Sequence, residues 1–184
     1  MNIKGKKVTL RAMEKQDCEM VREMFNDPEI ENLVIGWAFP LSSYAQEKWF
    51  ENHYADNTNF RFVIETPEDG AVGIATLTNI DWKNRSADHG IKLAKKERRS
   101  KGIGTDAVMA IMRYAFDELQ LHRLDGAWFK ENIASKTMYT KCGWVEEGVR
   151  REYIFKNGSY RDLVVVGILA EEYHDLVKRT HYWD

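Results

Sequence analysis

The pattern of apolar and polar positions along the chain predicts strands and helices in mixed order. Alternating apolar and polar residues favour a strand, whereas apolar residues three or four positions apart favour a helix. The predicted strands are KKVTLRAM, FRFVIE, AVGIATLTNI, ADHGIKLA, HRLDGAWF, VEEGVRREYIFK and SYRDLVVVGIL. The predicted helices are EKQDCEMVREMFND, a segment that starts at Ser42 or Ser43, IGTDAVMAIMRYAFDEL and NIASKTMYTKC. We therefore expect an α/β fold, with a single domain over residues 1–184.

Turn-forming residues set the connections between these elements. Pro28 is expected to end the first helix, and Gly143 is expected to end the last one as a C-cap. The dipeptide Asn157–Gly158 between two strand-like runs is a strong signal for a β-hairpin. The unit from Ala87 to Phe129 has the order strand, loop, helix, strand. Its two strands are therefore expected to be parallel, with a right-handed crossover.

The composition excludes several classes of partner and location. The chain has 184 residues, of which 43% are apolar and 30% charged, and its net charge is −2. This balance is ordinary for a globular domain and gives no reason to expect nucleic acid as a partner. No apolar run approaches a membrane span, and the N-terminal residues lack the apolar core of a signal peptide. The two cysteines, Cys18 and Cys142, are too few for a disulfide scaffold, so we expect a cytoplasmic location.

The stretch ERRSKGIG, residues 97–104, is a candidate phosphate-binding loop. From Lys92 to Lys101 there are six basic residues against one acid, Glu97. A helix is predicted directly after the loop, and the first N–H groups of a helix favour an anion. Glycine lets the backbone approach a ligand closely because it has no Cβ. A compact ligand with several phosphate groups fits this pattern better than a nucleic acid does.

Two other interpretations of the loop stay open at this point. A short basic run is often solvated surface without a ligand. Gly102, Gly104 and Ala107 also match G-x-G-x-x-A, the dinucleotide fingerprint of many oxidoreductases. That fingerprint places its first glycine almost directly after a strand, whereas charged and polar residues intervene here after Leu93. The rest of the chain also offers no further strand–helix–strand units for a doubly wound sheet.

The spacing Arg99-x-x-Gly102-x-Gly104 resembles the Q/R-x-x-G-x-G/A signature of the GNAT (GCN5-related N-acetyltransferase) family. A subgroup of that family, with ribosomal-protein, spermidine and certain amino-sugar N-acetyltransferases, also resembles VTLRAMEKQDCEMV, KENIASKTMYTKCGWVEEG and EYIFKNGSYRDLVVVGIL. The resemblance covers essentially the whole chain. It implies a mixed, mostly antiparallel sheet with a parallel, splayed central strand pair flanked by helices. It also implies direct acetyl transfer from acetyl-CoA to a primary amine, with a non-catalytic coenzyme A-binding module as an alternative.

The resemblance implies where the cofactor binds. In this family the signature loop holds the pyrophosphate of acetyl-CoA through backbone amides, and the preceding strand offers backbone groups to the pantetheine arm. A splay beside that strand exposes an N–H that can stabilise the oxyanion formed during attack. Asn132, also a candidate N-cap, and Ser135 are expected near the pantetheine arm. The predicted cofactor-binding residues are Ile91, Lys92, Leu93, Arg98, Arg99, Ser100, Lys101, Gly102, Ile103, Gly104, Thr105, Asn132 and Ser135.

The resemblance also implies the catalytic groups. Tyr139 matches the family tyrosine that protonates the departing thiolate, and it shares a predicted helix face with Ser135. Asp88 is the candidate for the group that removes a proton from the amine, directly or through a water. Trp37 and Glu31 are the candidates for contact with the acceptor. The histidines show no metal-ligand spacing with cysteine or carboxylate, so no metal is expected.

The acceptor is expected to be a small-molecule or peptide amine. Its identity stays open among an amino sugar, a protein N-terminus, an aminoglycoside-like amine and a polyamine. Polyamine enzymes of the subgroup are acid-rich near the Trp37 position, whereas this chain has WAFPLSS there, with Glu29 and Glu31 close by. Relatives often form dimers, so a homodimer is also among the expectations.

Overall fold

The structure is a computed structural model that describes residues 1–36, 39–52, 56–94 and 101–184. Its strands are β1 (Ile3–Lys4), β2 (Thr9–Ala12), β3 (Phe60–Thr66), β4 (Gly70–Asp81), β5 (Ser86–Leu93), β6 (Arg123–Phe129), β7 (Val145–Lys156) and β8 (Ser159–Leu169). Its helices are α1 (Cys18–Asn26), α2 (Pro28–Leu33), α3 (Ser43–Asn52), α4 (Ile103–Arg113), α5 (Ile133–Lys141) and α6 (Ala170–Thr180). A π-helical turn at Tyr114–Glu118 extends α4. None of the helices in these ranges is long and apolar enough to cross a membrane.

The strands join in one eight-stranded sheet with the order β1-β2-β3-β4-β5-β6-β8-β7. The β5–β6 pair is parallel, and the other pairs are antiparallel. This mixed sheet confirms the predicted α/β fold and the parallel pair joined through α4. A dinucleotide-binding fold needs a mostly parallel sheet, so the oxidoreductase alternative does not fit.

Three elements of the fold are absent from the sequence prediction: β1, α2 and α6. Pro28 follows the end of α1 as predicted, but it also opens α2 at the first helical position. Proline is favoured there because no partner is available for an N–H at that position. Asp27 caps α2, since its Oδ1 accepts the N–H of Glu29 at 2.8 Å. At the start of α6, Glu172 Oε2 accepts the N–H of Leu169 at 2.8 Å.

The two parallel strands separate soon after they pair. Their register joins Ser86–Asp88 to Arg123–Asp125 and then stops. Beyond that point β5 continues along β4 as far as Leu93, and β6 continues along β8 as far as Phe129. The predicted splay of the central pair is therefore confirmed, and a wedge-shaped opening lies between the two strands.

Apolar layers cover both faces of the sheet. On one face, α4 supplies fully buried side chains such as Val108 and Ile111, in agreement with its predicted apolar stripe. On the other face, Val21 of α1 packs in a cluster with Val63 of β3. The sheet therefore forms the middle of three layers, and the opening between β5 and β6 lies within that middle layer.

The buried carboxylate of Asp106 joins both ends of the chain to the first turn of α4. It is 2% exposed and accepts the backbone N–H groups of Lys6, Lys7 and Val8 at 3.0, 2.6 and 3.0 Å. The hydroxyl of Tyr182 donates to the same carboxylate at 2.9 Å. A buried carboxylate needs several such donors to offset its lost hydration. These contacts fix the chain before β2 and the chain after α6 against the start of α4.

An aromatic cluster fills the space where β5 and β6 diverge. The Tyr139 ring of α5 packs against His89 of β5 and Trp128 of β6, with centroids 5.8 and 5.6 Å apart. Trp144 completes the cluster, 5.0 Å from Tyr139 and 5.7 Å from His89. His89 Nδ1 lies 3.0 Å from the Thr76 carbonyl oxygen and donates to it. Its Nε2 is buried and has no hydrogen-bond partner among the described residues, so the imidazole is neutral.

The buried imidazole predicts a loss of stability in acid. Burial lowers the pKa of His89 to about 4, whereas an unfolded chain has a histidine pKa of about 6.5. Between these values the unfolded chain binds a proton that the folded chain does not, so the free energy of unfolding falls as the pH falls. The loss in the free energy of unfolding amounts to about 3 kcal/mol at most.

Denaturant titrations between pH 7.5 and 4 should show that the free energy of unfolding falls less in His89→Gln than in wild type. The exposed His122 provides the control, because His122→Gln leaves His89 buried; equal acid loss in His89→Gln and wild type would contradict the account.

Candidate active site

A cavity of about 1020 Å³ occupies the opening between β5 and β6. Large ligand pockets in proteins have this volume, roughly 1,000 Å³. One wall comes from β5 and the first turn of α4, and another comes from β6 and one face of α5. The end of α2 and the β7–β8 hairpin close the remaining side. The cavity is thus long, with a glycine-rich end at α4 and an apolar end at α2.

The β5 backbone presents free hydrogen-bonding groups to this cavity. The N–H of Ala94 donates to the Val72 carbonyl of β4 at 2.8 Å. In an antiparallel pair the groups facing the neighbour alternate with groups facing away. The backbone groups of Ile91 and Leu93 therefore point away from β4 and into the cavity. The backbone groups of Lys92 point toward β4 instead. Of these three predicted cofactor residues, only Ile91 and Leu93 can therefore offer backbone groups to a ligand in the cavity.

The start of α4 forms the glycine-rich end of the cavity. Gly102 is the N-cap residue, with a φ of +79°, a conformation that side chains rarely adopt. A Cβ on Gly104 would lie 2.8 Å from Met138 Sδ, so a larger residue would require the Met138 side chain of α5 to shift. Gly102, Gly104 and Thr105 line the cavity, whereas the Ile103 side chain is buried in the core. The helix N-terminus therefore directs unpaired N–H groups at the cavity.

Three of the predicted loop residues cannot be placed. Arg98, Arg99 and Ser100 lie outside the described residues. Lys101 is described, and its carbonyl oxygen accepts the Lys7 ammonium at 2.8 Å.

The α5 helix turns Asn132, Ser135 and Tyr139 toward the cavity. Their spacing of three and four residues places them on one helix face. Asn132 is the N-cap, since its Oδ1 accepts the N–H of Ser135 at 3.0 Å. Its Nδ2 donates to the Leu33 carbonyl at 3.2 Å. The capping role expected for Asn132 is confirmed, and the same side chain also ties the start of α5 to the end of α2.

Tyr139 combines a buried ring with a hydroxyl at the cavity wall. The residue is 6% exposed and lines the cavity. Among the described residues its hydroxyl takes part in no hydrogen bond. Burial raises the pKa of Tyr139 well above its usual range, so the hydroxyl keeps its proton. Tyr139 therefore offers a protonated hydroxyl, free to donate a hydrogen bond, at the wall of the cavity between β5 and β6.

Two carboxylates meet at the point where the strands part. Asp88 of β5 and Asp125 of β6 are partners in the last parallel register pair, and both line the cavity. Asp88 Oδ2 accepts Asn79 Nδ2 at 2.7 Å. Asp125 Oδ1 accepts Nε of Arg123 at 2.8 Å, and its Oδ2 has no partner among the described residues. Sequence reasoning identified Asp88 and missed Asp125, which only the strand register brings alongside it.

The apolar end of the cavity is also missing from the sequence prediction. Its walls come from the end of α2 and from side chains of the hairpin, namely Ile30, Leu33, Val34, Ile35, Arg150, Tyr153, Leu163 and Val165. Alternation along VRREYIF could have suggested that Arg150 and Tyr153 face different neighbours, but not that either lines a cavity. Trp37, predicted to contact the acceptor, lies outside the described residues.

Glu31 is engaged with the hairpin and does not line the cavity. Its carboxylate pairs with Lys156 Nζ at 2.6 Å, and the Lys156 side chain is only 3% exposed. Lys156 also donates to the carbonyls of Glu31 and Val34, and Arg161 Nη1 donates to the Asn32 carbonyl at 3.2 Å. These bonds satisfy the last carbonyls of α2, which a helix end leaves without partners. The hairpin thereby positions the α2 wall of the cavity.

Comparison with known proteins identifies the family. The family described as Acetyltransferase (GNAT) domain matches residues 7–145. The spermidine N(1)-acetyltransferase of Vibrio cholerae serotype O1 is 32% identical over 168 residues, covering 90% of this chain and 95% of that protein. The Escherichia coli K12 spermidine N(1)-acetyltransferase is 28% identical over 167 residues, covering 90% and 88%.

Solved structures agree with the sequence comparison. The crystal structure of the Vibrio cholerae spermidine N-acetyltransferase in complex with CoA and spermine superposes with a TM-score of 0.86 at 30% identity. It covers 91% of this chain and 98% of that one. A dodecameric structure of spermidine N-acetyltransferase from the same organism has a TM-score of 0.78 at 29% identity, covering 91% and 96%. The chain therefore belongs to the GNAT family of acetyltransferases and uses acetyl-CoA as its acetyl donor.

Proposed function

We propose that the protein transfers acetyl directly from acetyl-CoA to a primary amine of a small, positively charged acceptor of the polyamine class. The observation that carries this choice is the pair of adjacent carboxylates, Asp88 and Asp125, in the cavity lining where β5 and β6 part. Two carboxylates at one place attract an ammonium group and favour a multiply charged amine. The names of the related spermidine acetyltransferases support the same class of acceptor.

The cofactor is proposed to follow the cavity from α4 to the carboxylates. Its pyrophosphate would accept hydrogen bonds from the free N–H groups of Gly102–Thr105, with Lys101 nearby. Arg98, Arg99 and Ser100 lie outside the described residues, and their predicted role in phosphate binding stays part of the proposal. Its pantetheine arm would run along β5 like an added strand, bonded to the backbones of Ile91 and Leu93. Ser135 and Asn132 would contact the same arm from α5. Lys92 would line the cavity with its side chain only, because its backbone groups face β4.

The proposed reaction is attack of the neutral amine nitrogen on the thioester carbonyl carbon. An N–H of β5 at the splay would donate to the developing oxyanion. The carbon–sulfur bond then breaks, and Tyr139 gives its hydroxyl proton to the departing thiolate. Before the attack, Asp88, shorter than a glutamate, would take one proton from the ammonium group through a water. After the attack, the second proton lost from the nitrogen would return to the Tyr139 oxygen, which restores its hydroxyl. Because Tyr139 is a weak acid here, its placement matters more than its acidity.

The acceptor is proposed to place its reacting amine beside Asp88 and Asp125 and its methylene groups toward α2, against the largely apolar end of the cavity. Trp37 would contact it from the segment that follows α2. Glu31 is proposed to play a smaller part in binding the acceptor amine than the sequence suggested, because its carboxylate is paired with Lys156. Its negative charge is largely offset by that ammonium, and the charge of Asp125 is offset in the same way by the Arg123 guanidinium 2.6 Å away. Asp88, whose partner Asn79 is neutral, would therefore contribute most to the attraction of a positively charged acceptor.

The remaining expectations form part of the same proposal. We propose that residues 1–184 make one acetyltransferase domain, since β8, beyond the matched range, pairs with β6 and completes the sheet. Self-association is proposed through the edge strand β7, where Val149 and Phe155 are exposed. A cytoplasmic location fits the free thiols of Cys18 and Cys142.

A thiol-release assay across an amine panel tests the proposed acceptor class. The panel contains spermidine, spermine, glucosamine, an aminoglycoside and peptides with free N-termini. The polyamines should give kcat/KM values at least about tenfold above the other amines, a difference of 1.4 kcal/mol. Preference for peptides or sugars would refute the polyamine class and leave the acetyltransferase intact. Binding of acetyl-CoA without thiol release from any amine would indicate the non-catalytic module instead.

Replacing Tyr139 by Phe tests the proposed acid. The substitution keeps the buried ring and removes only the hydroxyl, so kcat should fall by about a hundredfold or more. The KM for acetyl-CoA should stay within about twofold, because the hydroxyl is proposed to act only in the transition state. Tyr160→Phe provides the control, since Tyr160 is 63% exposed and lies outside the cavity. An unchanged kcat in Tyr139→Phe would remove Tyr139 from the mechanism.

A further inference from the structure

The ammonium of Lys7 lies against the loop that opens α4. Its Nζ donates to the Lys101 carbonyl at 2.8 Å. The same Nζ lies 3.1 Å from the point that a Cβ of Gly102 would occupy. Lys7 and Lys101 are 94 residues apart in the sequence, and Lys7 belongs to none of the stretches that predicted the cofactor site. The fold thus brings an additional positive charge to the N-cap of α4.

The position of Lys7 is set by the helix that it faces. Its own backbone N–H donates to Asp106 at 2.6 Å, the shortest of the three backbone contacts to that carboxylate. Asp106 lies in the first turn of α4, next to the residues whose N–H groups face the cavity. A hydrogen bond therefore joins the Lys7 backbone to the first turn of α4, although the Lys7 side chain is exposed.

Charge and hydrogen-bonding capacity indicate what this ammonium can bind. A lysine ammonium carries three donors, and Lys7 uses one of them among the described residues. Lys7 is not among the residues that line the cavity, but its Nζ lies beside Gly102, which is. A pyrophosphate bound at the start of α4 would therefore place negative oxygens near this ammonium. We propose that Lys7 is a binding residue for the pyrophosphate of acetyl-CoA. This inference rests on the cofactor site, and it is independent of Tyr139 and of the acceptor.

The neighbouring Lys6 supplies a matched control. Its Nζ donates to the Asp184 carbonyl at 3.2 Å and lies 5.2 Å from the centroid of the Tyr182 ring. Lys6 therefore carries the same charge on the same segment but directs it at the C-terminal residues. Lys6→Met and Lys7→Met change the net charge equally, so a long-range electrostatic effect would be the same in both variants.

The test measures CoA binding by calorimetry and kcat/KM with three donors. Acetyl-CoA and 3′-dephospho-acetyl-CoA carry the pyrophosphate, and S-acetyl-pantetheine lacks it. Lys7→Met should weaken CoA binding about fivefold to tenfold, the effect of one charge-assisted hydrogen bond. It should lower kcat/KM by the same factor for the two pyrophosphate donors and leave S-acetyl-pantetheine unchanged. Lys6→Met should match wild type with all three donors.

A second variant separates phosphate binding from support of the loop. Lys7→Gln keeps a donor for the Lys101 carbonyl but has no charge, so it should bind CoA as weakly as Lys7→Met. The difference between wild type and either variant should shrink as the salt concentration rises. Wild-type affinity in Lys7→Gln, a loss confined to donors with the 3′-phosphate, or equal loss with S-acetyl-pantetheine would each overturn the proposal. Because CoA binding needs no acceptor, these results are distinguishable from failure of the proposed reaction.

Discussion

Beyond Asp88 and Asp125, β5 and β6 no longer share hydrogen bonds, and the rest of the site depends on that separation. A continuous sheet would pair the inward-facing N–H and C=O groups of Ile91 and Leu93 with β6. Unpaired backbone groups are stable only where solvent or a ligand reaches them, because burial without a partner is unfavourable by roughly 1–3 kcal/mol. The opening therefore supplies both a cavity and a row of groups that an extended amide-containing ligand can bond.

Side chains from three elements keep the separation open. The Tyr139 ring of α5 packs against His89 of β5 and against Trp128 of β6. Because it contacts both strands, α5 spans the opening between them. The absence of a Cβ at Gly104 lets α5 pack closely against α4. As a result the free N–H groups of α4, the hydroxyl of Tyr139 and the two carboxylates face one volume. The groups proposed to bind the phosphate, the thioester and the amine therefore line one cavity.

Local sequence signals predicted the elements with strong periodicity and clear turns. The β5–α4–β6 unit and the Asn157–Gly158 hairpin belong to this group, and so does the start of α4 after Gly102. The missed elements have weak or ambiguous signals. The two residues of β1 are too few for periodicity, and Pro28 marks a helix start as well as a stop once Asp27 is recognised as a cap. The pairing of Glu31 with Lys156 joins residues 125 apart, so no local pattern contains it.

The β5 backbone is proposed to receive the pantetheine arm, and amide hydrogen exchange followed by NMR can detect this contact residue by residue. Exchange is measured for β5 with and without saturating CoA, while calorimetry confirms binding. Exchange of the Ile91 and Leu93 amides should slow by about tenfold or more on binding, because those N–H groups gain a partner. Gly90 and Lys92, already directed at β4, should change less. CoA binding that leaves Ile91 and Leu93 exchanging as before would contradict the account.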